Sequence, residues 1–103
     1  MGTQHNSHVY NATDIKIKVV LTDNDGRNSE GLLDSKESTC FPTVKGSVTL
    51  NVMRMGDSPD GDPPKSETCY TALSDTSFIV KMKEQRLVIV RSEYGNIMKE
   101  ATD

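Results

Sequence analysis

The sequence is poor in the features that mark large enzymes, membrane proteins and nucleic-acid binders. It has no tryptophan, three tyrosines and two phenylalanines, and hydrophobic residues make up 34% of its 103 positions. No run approaches the roughly 18 apolar residues of a membrane-spanning helix. The formal net charge of −3 argues against a strongly basic nucleic-acid binder. The length supports one domain with a small core and excludes a multidomain enzyme.

Cysteine is scarce, because Cys40 and Cys69 are the only two. A disulfide between them would close a loop of about 30 residues and stabilise the fold by about 3 to 4 kcal/mol. The alternative is two reduced, unconnected thiols. Asn11-Ala12-Thr13 is a glycosylation sequon, which slightly favours an exported domain, in which a disulfide would persist.

Four segments alternate apolar and polar residues with the period of two that is typical of half-buried strands. They span residues 14–22, 45–55, 77–83 and 86–92, and the residues expected in the core are Ile17, Val19, Leu50, Val52, Val80 and Ile89. A two-residue loop at Glu84-Gln85 would place Val80 opposite Ile89 and so bury the apolar residues of the hairpin together. A longer loop stays open as an alternative, because Glu-Gln is a poor pair for a type I′ turn.

The remaining segments predict connections. Residues 1–9 are polar and predict a flexible lead-in to a single β domain over residues 10–103. Residues 27–43 lack periodicity and predict a long surface connection, and residues 56–67, with three prolines, predict a loop. A short strand is expected within residues 69–75. Short strands and turn clusters together predict an all-β fold, a small antiparallel β-sandwich or open barrel with long loops, loosely immunoglobulin-like.

The sequence offers no catalytic group in a setting that would hold it in place. Both histidines, His5 and His8, fall in the predicted lead-in, where neither a metal ion nor a nucleophile would be held in fixed geometry. The carboxylates are concentrated in turn-rich segments, and solvated carboxylates make poor general acids. We therefore expect a protein that is not an enzyme.

Two acidic segments support an alternative, calcium-dependent function. The predicted ligands are Asp23, Asp25, Asn28 and Glu30 in segment 23–30, together with Asp57, Asp60 and Asp62 in segment 57–62. Two such loops can meet at one end of a sandwich. Aligning Gly26 with the invariant glycine of an EF-hand loop puts leucines at two ligand positions. Ordinary Asp-Gly turn chemistry is therefore favoured, and no cofactor is expected.

A set of basic residues supports a second alternative, a nucleic-acid-binding β-barrel. The set lies on or beside predicted strands and comprises Lys16, Lys18, Lys81, Lys83, Arg86 and Arg91. Oligonucleotide-binding barrels combine basic strands with stacking aromatic rings. Here the tyrosines flank the strands and the net charge is negative. Nucleic acid is therefore not the favoured partner, because lysines on a solvent face also guard a sheet against edge pairing.

The predicted hairpin carries an apolar strip on the face opposite the core, formed by Ile79, Val88 and Val90 next to Lys81. A sheet with one solvated face does not need such a strip. Either the connection 27–43 covers it, or it is exposed for a partner, a second copy of the chain included. We therefore predict a protein–protein interaction module that binds through a sheet face or projecting loops.

Overall fold

The computed structural model describes residues 5–54, 67–93 and 96–100. These residues form nine strands: β1 (His5–Asn11), β2 (Ile17–Thr22), β3 (Asn28–Leu33), β4 (Ser38–Thr43), β5 (Ser47–Arg54), β6 (Thr68–Leu73), β7 (Phe78–Lys83), β8 (Arg86–Glu93) and β9 (Asn96–Glu100). Within this described part of the chain, there is no helix with the length and apolar character needed to cross a membrane.

The strands form two sheets packed face to face, which confirms the predicted β-sandwich. The five-stranded sheet has the order β4-β1-β7-β8-β9, and the four-stranded sheet has the order β3-β2-β5-β6. Neighbouring strands are antiparallel except for β1 and β7, which are parallel. The chain crosses between the sheets after β1, β3, β4 and β6, so each sheet mixes strands from distant parts of the sequence.

The four strands predicted from alternation are present as β2, β5, β7 and β8. All six residues expected in the core are buried. In the β7–β8 hairpin, Val80 opposes Ile89 as predicted. Glu84 and Gln85 have φ angles of 51° and 66°, so both residues of the loop adopt the left-handed backbone of a type I′ turn. The buried register of the hairpin therefore outweighs the poor turn propensity of these two residues.

Three strands lie where the sequence predicted connections. Residues 5–9, assigned to the flexible lead-in, form most of β1, which pairs with both β4 and β7. Residues 27–43, assigned to a surface connection, contain β3 and β4. Their sequences lack the alternation of apolar residues that identifies a strand. β1 and β4 pair with each other, and β1 also pairs with β7, so distant segments supply their hydrogen-bonding partners. β3 is a strand because the turn after β2 folds it back against that alternating strand. Local propensity registers neither effect.

The core fills the space between the two sheets. It consists of Val9, Ile17, Val19, Leu21, Leu33, Phe41, Val48, Leu50, Val52, Phe78, Val80, Leu87 and Ile89. Tyr70 packs edge-on against Phe78, with ring centroids 5.8 Å apart, an arrangement that aromatic pairs favour. Gly31 faces the Phe41 ring so closely that a β-carbon there would lie 3.2 Å from the Phe41 Cζ, which explains the small residue in the middle of β3.

Candidate interaction surface

The outer face of the β7–β8 hairpin is not open to solvent. Ile79 is 3% exposed and stands in register between Tyr10 on β1 and Val90 on β8. Val88, Val90 and Lys81 are half-buried. The residues of the predicted strip therefore do share one face of the hairpin, but Ile79, its central residue, is buried.

Strand β9 accounts for this burial. In a flat sheet, a strand beyond β8 would lie about 10 Å from β7 and about 14 Å from β1. β9 nevertheless contacts both β7 and β1, so it curls over their outer face. Lys81 Nζ lies 2.5 Å from a carboxylate oxygen of Glu100, which fastens the end of β9 to β7. The connection 27–43 does not supply this cover, because it forms β3 and β4.

The disulfide that the two cysteines allow is not formed. Cys40 and Cys69 are both free and exposed. Cys40 lies on β4 beside the inward-facing Phe41, and Cys69 lies on β6 beside Tyr70, which packs against the core. Neighbouring side chains on a strand point to opposite faces of the sheet. The two thiols therefore lie on the outer faces of opposite sheets, with the core between them.

The first acidic segment forms the turn between β2 and β3. The Asp23 Oδ1 atom accepts hydrogen bonds from the backbone N–H groups of Asp25 and Arg27, both at 3.0 Å. An aspartate that accepts from the backbone two residues ahead is a common turn device. The carboxylate of Asp23 is thus occupied in shaping the hairpin.

Two other predicted calcium ligands also have partners in this hairpin. The Asn28 side-chain oxygen accepts a hydrogen bond from the Thr22 hydroxyl at 2.6 Å, and a Glu30 oxygen lies 3.7 Å from Lys18 Nζ. In the part of the chain that the structure describes, no three His, Cys, Asp or Glu side chains are grouped to hold a metal ion. The second predicted group, Asp57, Asp60 and Asp62, lies outside the described residues.

The basic residues are divided between the two sheets. Lys16 and Lys18 lie next to and on β2, whereas Lys81, Lys83, Arg86 and Arg91 belong to β7 and β8. Three of these lysines face carboxylates on neighbouring segments: Lys16 lies 3.9 Å from Asp34, Lys18 lies near Glu30, and Lys81 lies near Glu100. Tyr10 is buried, and Tyr70 packs against the core. In the described residues, the basic side chains and these two rings are therefore not interleaved as in a base-stacking platform.

A histidine–carboxylate pair lies at one end of the sandwich. His5 Nδ1 lies 2.6 Å from Asp75 Oδ2, and the Asn6 backbone N–H donates to Asp75 Oδ1 at 3.0 Å. The hydrogen bond from His5 and then the one from Asn6 lower the pKa of the Asp75 carboxyl group. Asp75 lies in the turn between β6 and β7, so the pair ties the start of β1 to that turn.

A bidentate ion pair between Arg54 and Glu67 lies at the opposite end of the sandwich. Arg54 Nε and Nη2 lie 2.9 and 3.0 Å from the two carboxylate oxygens of Glu67. The Arg54 Nη2 atom also donates to the Gln85 carbonyl at 2.8 Å, and the Leu87 N–H donates to Glu67 Oε2 at 2.8 Å. The hydrogen bond between the two side chains lowers the pKa of Glu67 and raises the pKa of Arg54. The pair therefore joins the end of β5 to the tip of the β7–β8 hairpin.

Asn11, the asparagine of the sequon, is fully buried. Its amide nitrogen lies 2.8 Å from the carbonyl oxygen of Ile15, 3.1 Å from that of Leu33 and 3.0 Å from that of Asp34. A buried amide nitrogen whose hydrogens point at three carbonyl groups has no room for a sugar. In the folded protein the triplet is therefore a structural element and not a glycosylation site.

The edge strands β3, β4, β6 and β9 differ in how they are protected. β3 carries Glu30, β4 carries Pro42, and β9 ends with Lys99 and Glu100. Charged residues and proline at a sheet edge oppose pairing with a further strand. β6, with the sequence Thr-Cys-Tyr-Thr-Ala-Leu, has neither a charged residue nor a proline.

The hydrogen-bond pattern shows which groups of β6 face the free edge. The Ser74 N–H donates to the Gly46 carbonyl at 2.7 Å, in the same register as the β5–β6 ladder. Because hydrogen-bonded pairs alternate along an antiparallel ladder, Cys69, Thr71 and Leu73 turn their backbone N–H and C=O groups to the free edge. Their side chains are all exposed, and Leu73 is 69% exposed. β6 is thus an uncharged strand with a projecting leucine, and no other strand in the described part of the chain pairs with its outer edge.

Comparisons with known proteins agree with the fold. No protein-family model matches the chain, and no curated protein matches it either. A solved structure described as "Trapped Toxin" superposes on 87% of this chain with a TM-score of 0.53 and 9% sequence identity. The chain spans 24% of the length of that structure. At this identity the likeness is one of fold alone.

Proposed function

We propose that this chain is a non-enzymatic protein–protein interaction module that binds an extended segment of its partner along the free edge of β6. The observation that supports the proposal is the contrast among the edge strands. β3, β4 and β9 carry a charge or a proline, whereas β6 carries neither. Because such residues are what keep a sheet edge from pairing, the edge of β6 is the one suited to accept another strand.

Binding at this edge would use the backbone for affinity and the side chains for selection. The N–H and C=O groups of Cys69, Thr71 and Leu73 face outward and can bond to an added strand. Leu73 and Cys69 flank the added strand on the outer face of the sheet, and Tyr70 and Ala72 flank it on the inner face. All four are uncharged, so we expect a partner segment with uncharged residues at the facing positions.

The strip predicted from the sequence supports this role less well than β6 does. Ile79, its central residue, is 3% exposed, and Lys81 is engaged with Glu100. An apolar residue contributes to binding only through the area that is still accessible before the partner arrives. Leu73, at 69% exposure, retains that area.

A peptide-display selection with the purified chain tests the proposal. Peptides of seven to nine residues that bind the chain should also bind a Leu32→Lys variant and fail to bind a Leu73→Lys variant. The two leucines form a matched pair, because Leu32 is 52% exposed on the edge strand β3. Hydrogen exchange of the Cys69, Thr71 and Leu73 amides should slow when the peptide is bound. Binding that survives Leu73→Lys, or no bound peptide at all, would overturn the proposal.

A further inference from the structure

We infer that a second copy of this chain binds the β6 edge, so that two β6 strands pair antiparallel about a twofold axis at Thr71. This inference rests on the proposed function and specifies the partner. The two four-stranded sheets would then form one continuous sheet across the dimer. Among the described strands, β5 pairs with one edge of β6 and none pairs with the other, so the pairing uses the remaining edge of each copy and closes the assembly at two copies.

The order of residues along β6 suits pairing with itself. With Thr71 on the axis, the outward-facing groups of Cys69, Thr71 and Leu73 meet the same groups of the partner subunit. Leu73 stands opposite Cys69 of the partner subunit on the outer face. Tyr70 stands opposite Ala72 of the partner subunit on the inner face, where both side chains pack partly against their own core.

Each of these two pairings brings uncharged side chains together, one on the outer face of the new sheet and one on the inner face. The exposed area of Leu73 would be covered by an uncharged side chain, and the residual exposed area of Tyr70 by a small one. Cross-strand pairs of this kind stabilise a sheet, whereas like charges placed opposite each other destabilise it. No charged residue of β6 can meet its own copy, because the strand has none.

The same operation fails at two other edges for reasons visible in the structure. Pairing of β3 with its copy places Glu30 near Glu30 of the partner subunit, because Glu30 lies in the middle of that strand. Pairing of β4 meets Pro42, which has no N–H group to donate. The symmetric contact therefore suits β6 better than β3 or β4.

The contact is small, because it consists of one strand pair and the side chains that flank it. Interfaces below the standard size are typical of weak, transient association. We therefore expect a reversible dimer that dissociates on dilution. By mass action, its population should rise over roughly a hundredfold increase in protein concentration.

Light scattering on the full chain over that concentration range is the first measurement. The wild type should pass from monomer to dimer, Leu73→Lys should weaken dimerisation by at least about tenfold, and Leu32→Lys should leave it unchanged. Leu73 and Leu32 are both exposed, so neither substitution changes the packing of the core. Circular dichroism verifies that both variants are folded.

Cross-linking provides a second measurement that does not depend on weakening the contact. In a background of Cys40→Ser and Cys69→Ser, the variant Thr71→Cys should form a covalent dimer under mild oxidation. Residues opposite each other in a hydrogen-bonded pair have α-carbons about 5.5 Å apart, which is within the reach of a disulfide. Thr49→Cys in the same background is the control, because Thr49 neighbours Thr71 on the outer face but lies on β5.

Three results would overturn the inference: a monomer at every concentration, growth into species larger than a dimer, or cross-linking of Thr71→Cys no faster than of Thr49→Cys. If the chain stays monomeric while displayed peptides bind in a Leu73-dependent way, the second copy is excluded and the proposed function stands. If neither peptides nor a second copy bind at β6, both are excluded.

Discussion

The side-chain oxygen of Asn11 accepts two hydrogen bonds from Thr13, one from its backbone N–H at 3.0 Å and one from its hydroxyl at 2.5 Å. The amide nitrogen of the same side chain meets the carbonyl groups of Ile15, Leu33 and Asp34. One buried side chain therefore organises the turn that leaves β1 and joins it to the β3–β4 turn. The two-residue spacing that defines a glycosylation sequon also suits a turn in which an asparagine side chain accepts from the residue two positions ahead. Asn11 and Thr13 form such a turn.

Replacement of Asn11 should destabilise the fold strongly. Asn11→Asp keeps the size of the side chain but replaces the amide donor with an oxygen that faces three carbonyl groups. We expect a loss of about 3 kcal/mol or more in the free energy of unfolding, because buried acceptors lose their donor. Denaturant unfolding monitored by circular dichroism measures the change.

Thr13→Ser is the matched control for Asn11→Asp, because serine keeps the hydroxyl that bonds to Asn11 and also keeps the sequon. It should cost much less than Asn11→Asp. Folded protein produced in a glycosylating host should carry no glycan at Asn11 by mass spectrometry. A folded protein with a sugar on Asn11 would contradict the buried position of this side chain.

The Arg54–Glu67 ion pair should make stability depend on acid pH. The hydrogen bond from Arg54 lowers the pKa of Glu67 below its ordinary value of 4.5. A carboxylate with a lowered pKa in the folded state stabilises the fold above its unfolded pKa, and that contribution is lost as the pH falls through the folded pKa. Wild-type stability should therefore fall as the pH drops below about 4.5, and Glu67→Gln should flatten this part of the profile.

Asp75 provides an internal comparison for the acid profile, because its pKa is also lowered, chiefly by the hydrogen bond from His5. Asp75→Asn should remove a separate part of the same acid-dependent loss, since the two carboxylates lie at opposite ends of the sandwich and do not share partners. Thermal melts across the acid range measure both effects. A Glu67→Gln variant with the wild-type pH profile would show that the ion pair contributes nothing measurable in solution.

The cysteines should behave as two independent thiols. Cys40 and Cys69 are free, exposed and on opposite sheets, so reductant should leave the denaturant midpoint of the folded protein unchanged. A thiol-reactive reagent should modify both residues without prior unfolding. A midpoint that falls on addition of reductant would indicate a bridge that the fold does not allow.

Ile79 should behave as a core residue although it faces away from the main core. Ile79→Ala removes a side chain that is 3% exposed, and such a change costs about 2 to 5 kcal/mol. Leu73→Ala, at a site that is 69% exposed, should stay within about 0.5 kcal/mol of the wild type. Equal effects of the two substitutions on the free energy of unfolding would mean that β9 does not cover the outer face of β7 in solution.

The strands whose side chains alternate can be predicted from the sequence alone. Ile17 and Val19 in β2, and Val80 opposite Ile89 in the hairpin, are buried as their period of two predicts. The reason is that a strand with one apolar face has a single register that hides that face from water. The same burial requirement explains the two-residue loop at Glu84 and Gln85, which forms although these residues have a poor propensity for a type I′ turn.

The roles of the segments that do not alternate depend on contacts between distant parts of the chain. β1 is a strand because β4 and β7 supply its hydrogen-bonding partners, and Asn11 is a buried support because three separate carbonyl groups converge on it. Ile79 is covered because β9 curls over it, and β6 is an edge because none of the nine described strands lies beyond it. Each of these facts depends on which distant segments become neighbours. A local pattern holds no information about them, because it records which face of a strand is apolar and not what lies against that face.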